Sequence, residues 1–338
     1  RGTARELPAE LDRNFLIAAE GGRRFVLKLT PGVRASDELE MQVAVLEALA
    51  RTELAGRVPG VIASVDGDLL LRRTITDASQ CWLRMLGYLE GRPVADLSEH
   101  PPSLLEEIGG WLARLDLALT DFDHAGARRR IPWDLSRILE LADALELIGD
   151  AARRELVAGR LARFERLVVP RLGELQWSVI HNDANDYNVL VDDGEGGSPR
   201  FSGLIDFGDM IYSVTVADLA IAAAYLMLGK EAPWSAAESV VSGYHAVRPL
   251  SLAEQAVLPE LITARLCLSV LMSARARLRE PDNEYLLISE RPIWELLERM
   301  SMSDSAEARR AIGGACADTD RRSGQEIVDI RRRHFGYN

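Results

Sequence analysis

The 338-residue chain has few of the residues that crosslink a fold or cluster around a metal. Its three cysteines, Cys81, Cys267 and Cys316, are odd in number and far apart, which predicts neither a disulfide framework nor a cysteine-ligated metal site. Reduced thiols are typical of the cytoplasm, where we expect the protein to be located. The sequence also lacks the uncharged apolar run of about 18 residues that a membrane span requires, so we expect no association with a membrane.

An excess of basic residues is missing as well. The chain has 40 Lys and Arg against 52 Asp and Glu, which gives a formal net charge of −12. Nucleic-acid binding requires a basic surface stripe, so we expect no nucleic-acid partner. An acidic chain is compatible with a cationic, amine-bearing substrate, although acidity also serves solubility alone.

What the chain does contain is a set of polar residues at fixed spacing between short apolar runs. His181 precedes Asp183 by two positions and Asn188 follows Asp183 by five, which fits the His-x-Asp-x-x-x-x-Asn frame of a kinase catalytic loop. Asp206, in Ile205-Asp206-Phe207-Gly208, has the position of the Asp-Phe-Gly metal ligand. Taken singly, each Asp could be a turn former or a helix cap, but their common register favours phosphoryl transfer.

Each of these residues has an expected role. Asp183 would accept the proton of the attacking hydroxyl, while Asn188 and Asp206 would bind Mg²⁺. His181 belongs to the same catalytic loop, and we expect its imidazole to hold the loop in place rather than to carry protons. We expect Asp218 to brace the loop too. The turn at residues 192–197 predicts a hairpin directly after Asn188.

A kinase also needs a lysine for the nucleotide phosphates. Residues 24–29 alternate as a strand does, which puts Lys28 on the face opposite Phe25 and Leu27. The helix predicted at residues 36–51 offers Glu40 as the ion-pair partner of Lys28, with Glu38 as the alternative. An isolated surface lysine and a solvated glutamate are the simpler interpretation of either residue alone.

A glycine-rich phosphate loop is absent from this region. If the first strand begins near Phe15, residues 12–15 would cover the nucleotide, with backbone amides and the side chains of Arg13 and Asn14 in place of glycines.

The hydrophobic periodicity divides the chain into three parts. Residues 1–89 are strand-rich with one helix, residues 90–300 are mainly helical and contain the catalytic loop and metal site, and residues 301–338 are polar and basic. We therefore predict an α+β, bilobal fold with a small antiparallel-sheet N-lobe, a larger helical C-lobe, and a C-terminal tail or connector.

In these motifs the chain resembles the aminoglycoside phosphotransferase and choline kinase superfamily, which has a protein-kinase-like fold. Within it, the chain is most similar to the hydroxylysine kinases and their bacterial relatives, some of which are fused to a pyridoxal-phosphate aminotransferase-like lyase. The matching segments run in order along the chain and are residues 11–15, 25–28, 39–42, 86–91, 133–135, 181–191 and 205–209.

The resemblance implies that residues 86–90 are the hinge strand, with Leu86 and Tyr88 beside the purine of ATP or GTP. It also implies that the acceptor is the hydroxyl of an amino alcohol or a hydroxy amino acid such as hydroxylysine. A covalent or functional link to a lyase is a further expectation, because residues 326–333 resemble the connector of the fused relatives. From that segment we expect the natural polypeptide to continue past Asn338.

Two alternative functions remain open on the sequence. A kinase that modifies Ser or Thr of a peptide would use the same chemistry, but only eleven residues separate Asp206 from Asp218 and no Ala-Pro-Glu platform is present. A catalytically silent nucleotide-binding module is disfavoured by the intact Asp183, Asn188 and Asp206. Asp186 and Asp209 are candidates for binding a substrate ammonium, or for bracing the loops.

Overall fold

The computed structural model describes residues 2–7, 12–34, 36–74, 80–279, 290–302 and 305–335. Leu11, the first residue of the matching segment 11–15, lies outside the described residues. The N-terminal part forms an antiparallel sheet in the order β1-β2-β3-β6-β4, with β5 also paired to β6. Its strands are β1 (Gly2–Leu7), β2 (Arg13–Ala19), β3 (Arg24–Pro31), β4 (Val61–Ile62), β5 (Leu71–Thr74) and β6 (Gln80–Gly87).

One helix, α1 (Ser36–Leu49), lies between this sheet and the rest of the molecule. Two sides of the helix have neighbours, so most of its residues are buried. A helix with a neighbour on one side would bury only a single stripe of residues. The buried set includes two polar side chains, Glu38 and Gln42, which are four residues apart and therefore share one face. That face is directed at the Asp206 region of the C-lobe.

Two short antiparallel pairs carry the catalytic segments. Strands β8 (Trp177–Ile180) and β11 (Ile211–Val214) pair with each other, and β9 (Val189–Asp193) pairs with β10 (Pro199–Leu204) and with β7 (Arg92–Pro93). The hairpin predicted at residues 192–197 is therefore present. Apolar side chains of these strands, such as Val179, Val191 and Leu204, are buried in the main hydrophobic core. The loops that join the strands are thus fixed at both ends by packed strands.

The remaining chain is helical and surrounds that core. The helices are a long 3₁₀ segment (Leu135–Leu147), α2 (Pro102–Ala118), α3 (Ala151–Leu167), α4 (Val216–Leu226), α5 (Pro233–Val247), α6 (Leu252–Arg279), α7 (Glu290–Met302) and α8 (Ser305–Phe335). Helices α2 and α5 touch backbone to backbone. A Cβ atom on Gly109 would lie 2.0 Å from the Val240 carbonyl oxygen, and one on Gly243 would lie 1.9 Å from that of Glu106. Only glycine permits this approach.

Helix α6 is apolar enough along residues 252–278 to meet the length and composition of a membrane span, but 83% of that window is buried inside the protein. Such burial is typical of the core helix of a globular domain.

The C-terminal segment differs from the expected polar tail. Helix α8 carries Ala308, Ile312, Ala315 and Cys316 at helical spacing, and all four side chains are buried. Ser242 on α5 hydrogen-bonds Thr319 on α8 at 3.0 Å, so this part of the segment is packed on the C-lobe. The polar and basic composition of residues 301–338 did not indicate this packing, because small apolar residues form a stripe that a charge count does not show. The connector-like residues 326–333 lie within α8, and their side chains are outside the described set.

Candidate active site

The catalytic loop, residues 181–188, joins β8 to β9. Asn182 adopts a left-handed backbone conformation with φ of 66°, which turns the chain sharply before Asp183. Asp218, the third residue of α4, accepts hydrogen bonds from the backbone N–H groups of His181 at 2.8 Å and Asn182 at 2.6 Å. The carboxylate of Asp218 therefore holds the turn, as the sequence predicted for a brace.

His181 is fully buried and connects the two functional loops. Its Nδ1 accepts a hydrogen bond from the backbone N–H of Asp183 at 3.2 Å, so its proton is on Nε2, which donates to the Ile205 carbonyl at 3.1 Å. Burial lowers the pKa of His181 to about 4, which keeps the ring neutral near pH 7. This arrangement agrees with a role in holding the loop, and gives the imidazole no contact with a substrate proton.

The Asp183 carboxylate lies at the centre of a network of donors. Its Oδ2 accepts a hydrogen bond from Asn188 Nδ2 at 2.8 Å, and its Oδ1 accepts from Asn185 Nδ2 at 3.1 Å and Arg265 Nη2 at 2.9 Å. These contacts fix both oxygens of a side chain that is still 22% exposed. The carboxylate is thus positioned and reachable from the cleft.

Burial raises the pKa of Asp183 to about 7, against the opposing effect of the Arg265 charge; the carboxylates of Asp209 and Asp206 add to the increase. A carboxyl group with a pKa near neutrality is suited to accept a proton at that pH.

Sequence reasoning did not identify Arg265. Its side chain is 2% exposed, and its guanidinium lies 4.7 Å from the centre of the Trp133 ring and 5.3 Å from that of Tyr225. The available signal was an arginine inside the apolar run of α6, since a buried arginine needs a charged partner. That partner is Asp183.

Asp206 follows β10 and also has a left-handed backbone, with φ of 61°. Its Oδ1 lies 3.1 Å from Lys28 Nζ, and the Lys28 charge lowers the pKa of Asp206. The backbone N–H of Ile205 donates to the carbonyl of Asn188 at 3.0 Å, which keeps the two segments adjacent. The structure thus brings Lys28 to Asp206, which lies 178 positions later in the sequence, and keeps Asn188 adjacent to Asp206.

The donor set of Asn188 and Asp206 fits a hard divalent cation. The side-chain nitrogen of Asn188 is occupied by the carbonyl and carboxylate of Asp183, so its amide oxygen faces the other way. The side chain of Asp206 is 51% exposed to the cleft. One amide oxygen and one carboxylate suit Mg²⁺, which completes its shell with water and phosphate oxygens. In the described part of the chain, no three His, Cys, Asp or Glu side chains form a complete protein cage.

The structure does not bring the predicted partner Glu40 to Lys28. Glu40 is exposed on α1, whereas Glu38 faces inward and pairs with Arg34 and with Arg129, the latter at 2.6 Å. The reason is helical geometry, because positions two apart point to nearly opposite sides. In this structure Lys28 pairs with Asp206 instead.

Arg129 is a second residue that the sequence did not reveal. Its guanidinium donates to the carbonyls of Gly208 and Met210 at 2.5 and 3.1 Å while it pairs with Glu38. Gln42 also donates to the Gly208 carbonyl, at 3.2 Å. The inner face of α1 is therefore tied to the segment after Asp206.

The residues predicted to bind the nucleotide lie on one face of the N-lobe sheet and at its edge. Asn14, Lys28 and Arg84 lie in one row across β2, β3 and β6, and no described residue forms a hydrogen bond with the buried side-chain oxygen of Asn14. Leu86 is buried on β6 opposite Val26. The outer residue of the predicted nucleotide cover, Arg13, instead pairs with Glu6 on the exposed side.

Tyr88 lies just beyond the end of β6. Its backbone N–H donates to the carbonyl of Arg24 at 3.2 Å, and the Arg24 guanidinium lies 4.3 Å from the centre of its ring. The hinge segment therefore follows directly from the strand that carries Arg84 and Leu86.

Comparison with known proteins accounts for this constellation. Residues 3–256 match the model of the phosphotransferase enzyme family. The chain belongs to that family. The hydroxylysine kinase of Mus musculus is 30% identical to this phosphotransferase over 317 residues, which span 87% of this chain and 83% of the relative. The homoserine kinase of Cupriavidus metallidurans is 26% identical over 269 residues, which span 74% of each chain.

Solved structures share the fold of this phosphotransferase. The microcompartment-associated aminopropanol kinase superposes with a TM-score of 0.65 at 20% identity, over 96% of this chain and 93% of that one. Amicoumacin kinase hAmiN, in complex with AMP-PNP, Ca²⁺ and Ami, gives a TM-score of 0.65 at 17% identity over 88% of both chains. The predicted protein-kinase-like, bilobal fold is confirmed, as is the prediction of a phosphotransferase with an alcohol group as acceptor.

Two further carboxyl groups of the phosphotransferase are candidates for the site: Asp186 lies in the catalytic loop, and the charge of Asp209 acts on Asp183. Burial raises the pKa of Asp186 to about 6, and its Oδ1 is buried with no hydrogen-bond partner among the described residues. Asp209 has a raised pKa because of burial and the nearby Asp206 charge. A cation that binds near Asp186 and Asp209 would stabilise the charged form of both carboxylates. This is expected of groups that bind an ammonium.

Proposed function

We propose that the protein transfers the γ-phosphoryl group of Mg-ATP or Mg-GTP to the hydroxyl of a hydroxylysine-like hydroxy amino acid. The observation that carries this proposal is the placement of Asp183, Asn188 and Asp206 around one cleft, with Lys28 at 3.1 Å from Asp206. The similarity to hydroxylysine kinase supports the substrate class.

In the reaction, a bond forms between the acceptor oxygen and the γ-phosphorus, and the bond from that phosphorus to the bridging oxygen breaks to release the nucleoside diphosphate. Asp183 accepts the proton of the hydroxyl and orients its oxygen for attack. Lys28 supplies positive charge for the nucleotide phosphates. A Mg²⁺ ion held by Asn188 and Asp206 would neutralise charge on the phosphate oxygens.

The amino group of the acceptor has two carboxylates available. Asp186 and Asp209 both follow Asp183 in the sequence, and each is held in a partly buried setting that disfavours its charge. A substrate ammonium restores that balance through a charge-assisted hydrogen bond. Hydroxylysine and homoserine both carry such an ammonium, whereas a plain alcohol does not.

A panel of acceptors tests the proposal. The protein is incubated with Mg²⁺ and either ATP or GTP against hydroxylysine, homoserine, an amino alcohol, an aminoglycoside and a Ser-containing peptide, and kcat/KM is measured for each. We expect hydroxylysine to have the highest kcat/KM. Transfer to the peptide alone would overturn the proposal, and a homoserine preference would replace the substrate while leaving the chemistry intact.

The substrate-binding role of the two acids is tested by Asp186→Asn and Asp209→Asn. We expect a raised KM for the amine-bearing acceptor and an unchanged KM for the nucleotide. The matched control is Asp192→Asn, since Asp192 is exposed in the hairpin turn away from the loop.

A further inference from the structure

A pair of buried carboxyl groups lies directly behind the catalytic loop. Asp218 on α4 and Asp116 on α2 are both 0% exposed, and they are close enough for the charge of Asp218 to act on Asp116. Two neighbouring carboxylates in a buried place repel each other and lack hydration, so they do not both ionise. One of the two must carry a proton.

The hydrogen-bond partners show where a donor is missing. Both oxygens of Asp218 accept backbone N–H groups of the catalytic loop, as described above. Oδ2 of Asp116 accepts the hydroxyl hydrogen of Tyr244 at 2.5 Å. Oδ1 of Asp116 is buried, and no donor reaches it from the described residues. A proton on Asp116 turns its carboxyl group into a donor for Asp218, and the buried oxygen then needs no other partner.

The surroundings favour the charge on Asp218 and the proton on Asp116. Two backbone N–H groups and the Arg265 charge lower the pKa of Asp218, although its burial raises that pKa to about 6. Burial and the Asp218 charge raise the pKa of Asp116 well above its usual range. Among the described residues, the titratable and charged side chains that act on the pair are Tyr244, Arg248 and Arg265, and Glu254 acts on Tyr244.

The helix packing explains why Asp116 is held there. The backbone contact of α2 with α5 through Gly109 and Gly243 places Tyr244, the next residue on α5, against Asp116. The charge of Arg248 beyond α5 is neutralised largely by Glu254, with their side chains 2.7 Å apart. Asp116 is therefore left with a neutral hydroxyl as its closest donor.

We propose that Asp116 is a positioning residue that stays protonated and, by donating to Asp218, holds the catalytic loop in the geometry that presents Asp183. Ionisation of Asp116 would set two negative charges against each other and weaken the grip of Asp218 on the amides of His181 and Asn182. The left-handed turn at Asn182 would then relax and displace the base. The kinetic part of this proposal rests on the proposed function, whereas its stability part does not.

The stability test compares Asp116→Asn with the natural protein by urea unfolding between pH 5 and pH 7.5. A carboxyl group whose pKa is raised in the folded state binds a proton on folding, so its stabilising effect is lost as pH rises. The amide donates to Asp218 at every pH and binds no proton. We therefore expect the unfolding equilibrium constant of the natural protein, relative to the variant, to increase about tenfold per pH unit.

The matched control is Asp121→Asn, an exposed carboxyl just beyond the end of α2. Its pH dependence should follow the natural protein. A pH dependence of Asp116→Asn that also follows the natural protein, or a failure of this variant to fold, would overturn the proposal.

The kinetic test separates positioning from packing. We expect Asp116→Asn to keep kcat within about threefold and Asp116→Leu, which fills the space without a donor, to lower kcat about 10- to 100-fold at little change in KM. Equal kcat losses in both variants would contradict the donor role. If the protein phosphorylates none of the panel, the proposed function fails, while the pH dependence of unfolding still decides the state of Asp116.

Discussion

Replacement of Asp183 by Ala removes the carboxylate that we propose accepts the proton of the bound hydroxyl. Ala is a cleaner change than Asn at this position. Arg265 and Asn185 donate to one oxygen of Asp183, and Asn188 donates to the other. These three donors therefore need a side chain with two acceptor oxygens, which a carboxylate has and an amide does not. An Asn amide would place its NH₂ group against one of these donors and could turn Asn188 away from the metal position.

The size of the expected effect follows from the position of the carboxylate. A positioned general base contributes about 10²- to 10⁴-fold in rate, or about 3 to 5 kcal/mol of barrier. Asp183 has a pKa of about 7 and only 22% exposure, so it is tuned close to the working pH. We therefore expect a kcat loss in the upper half of that range, about 10³- to 10⁴-fold. Lys28 and Asp206 pair without Asp183, so nucleotide affinity should stay within about threefold.

The assay is single-turnover phosphoryl transfer to hydroxylysine, with nucleotide binding by calorimetry as proof of folding. Asp192→Asn serves as a control for a carboxylate removed from the surface of the neighbouring hairpin. A rate for Asp183→Ala within threefold of the natural protein, with intact nucleotide binding, would refute the assignment of Asp183 as the base.

Three further changes test the metal site, the segment after it and the core. Asp206→Asn should weaken Mg-nucleotide binding about 10- to 100-fold in calorimetry, because a charged metal ligand is lost. Arg129→Met should lower kcat about 10- to 100-fold by releasing Gly208 and Met210, whereas Arg130→Met, with a 75% exposed side chain, should not. Phe164→Ala, at 1% exposure, should cost about 3 to 5 kcal/mol in urea unfolding, and Leu117→Ala, at 48% exposure, should cost far less.

The proximity of Asp183, Asn188 and Asp206 was predictable because these three residues are close in sequence. Asp183, Asn188 and Asp206 sit at the ends of short apolar strands, and the strand pattern alone places them in neighbouring loops. The alternation of residues 24–29 likewise predicted that Lys28 lies on the face of its strand that is directed at the cleft. Local periodicity determines these features, and no long-range packing is needed to infer them.

The residues that the sequence did not reveal depend on contacts between distant elements. Arg265 reaches Asp183 from a helix 82 positions later, and Arg129 joins α1 to the segment after Asp206 from a loop. The prediction that Glu40 pairs with Lys28 was wrong. Which side of α1 faces the cleft depends on how the helix packs against its neighbours, and the sequence of the helix alone does not show this. The role of Asp116 depends on a backbone contact between α2 and α5 that a single sequence does not show.

The central claim is that this protein phosphorylates the hydroxyl of a small hydroxy amino acid. The most direct measurement is tandem mass spectrometry of hydroxylysine and of lysine after incubation with the protein, Mg²⁺ and each nucleotide. The account predicts that hydroxylysine gains one phosphoryl group on its hydroxyl, that lysine gains none, and that Asp183→Ala abolishes the product. Phosphorylation of a Ser-containing peptide with none on hydroxylysine or any other small alcohol would contradict it.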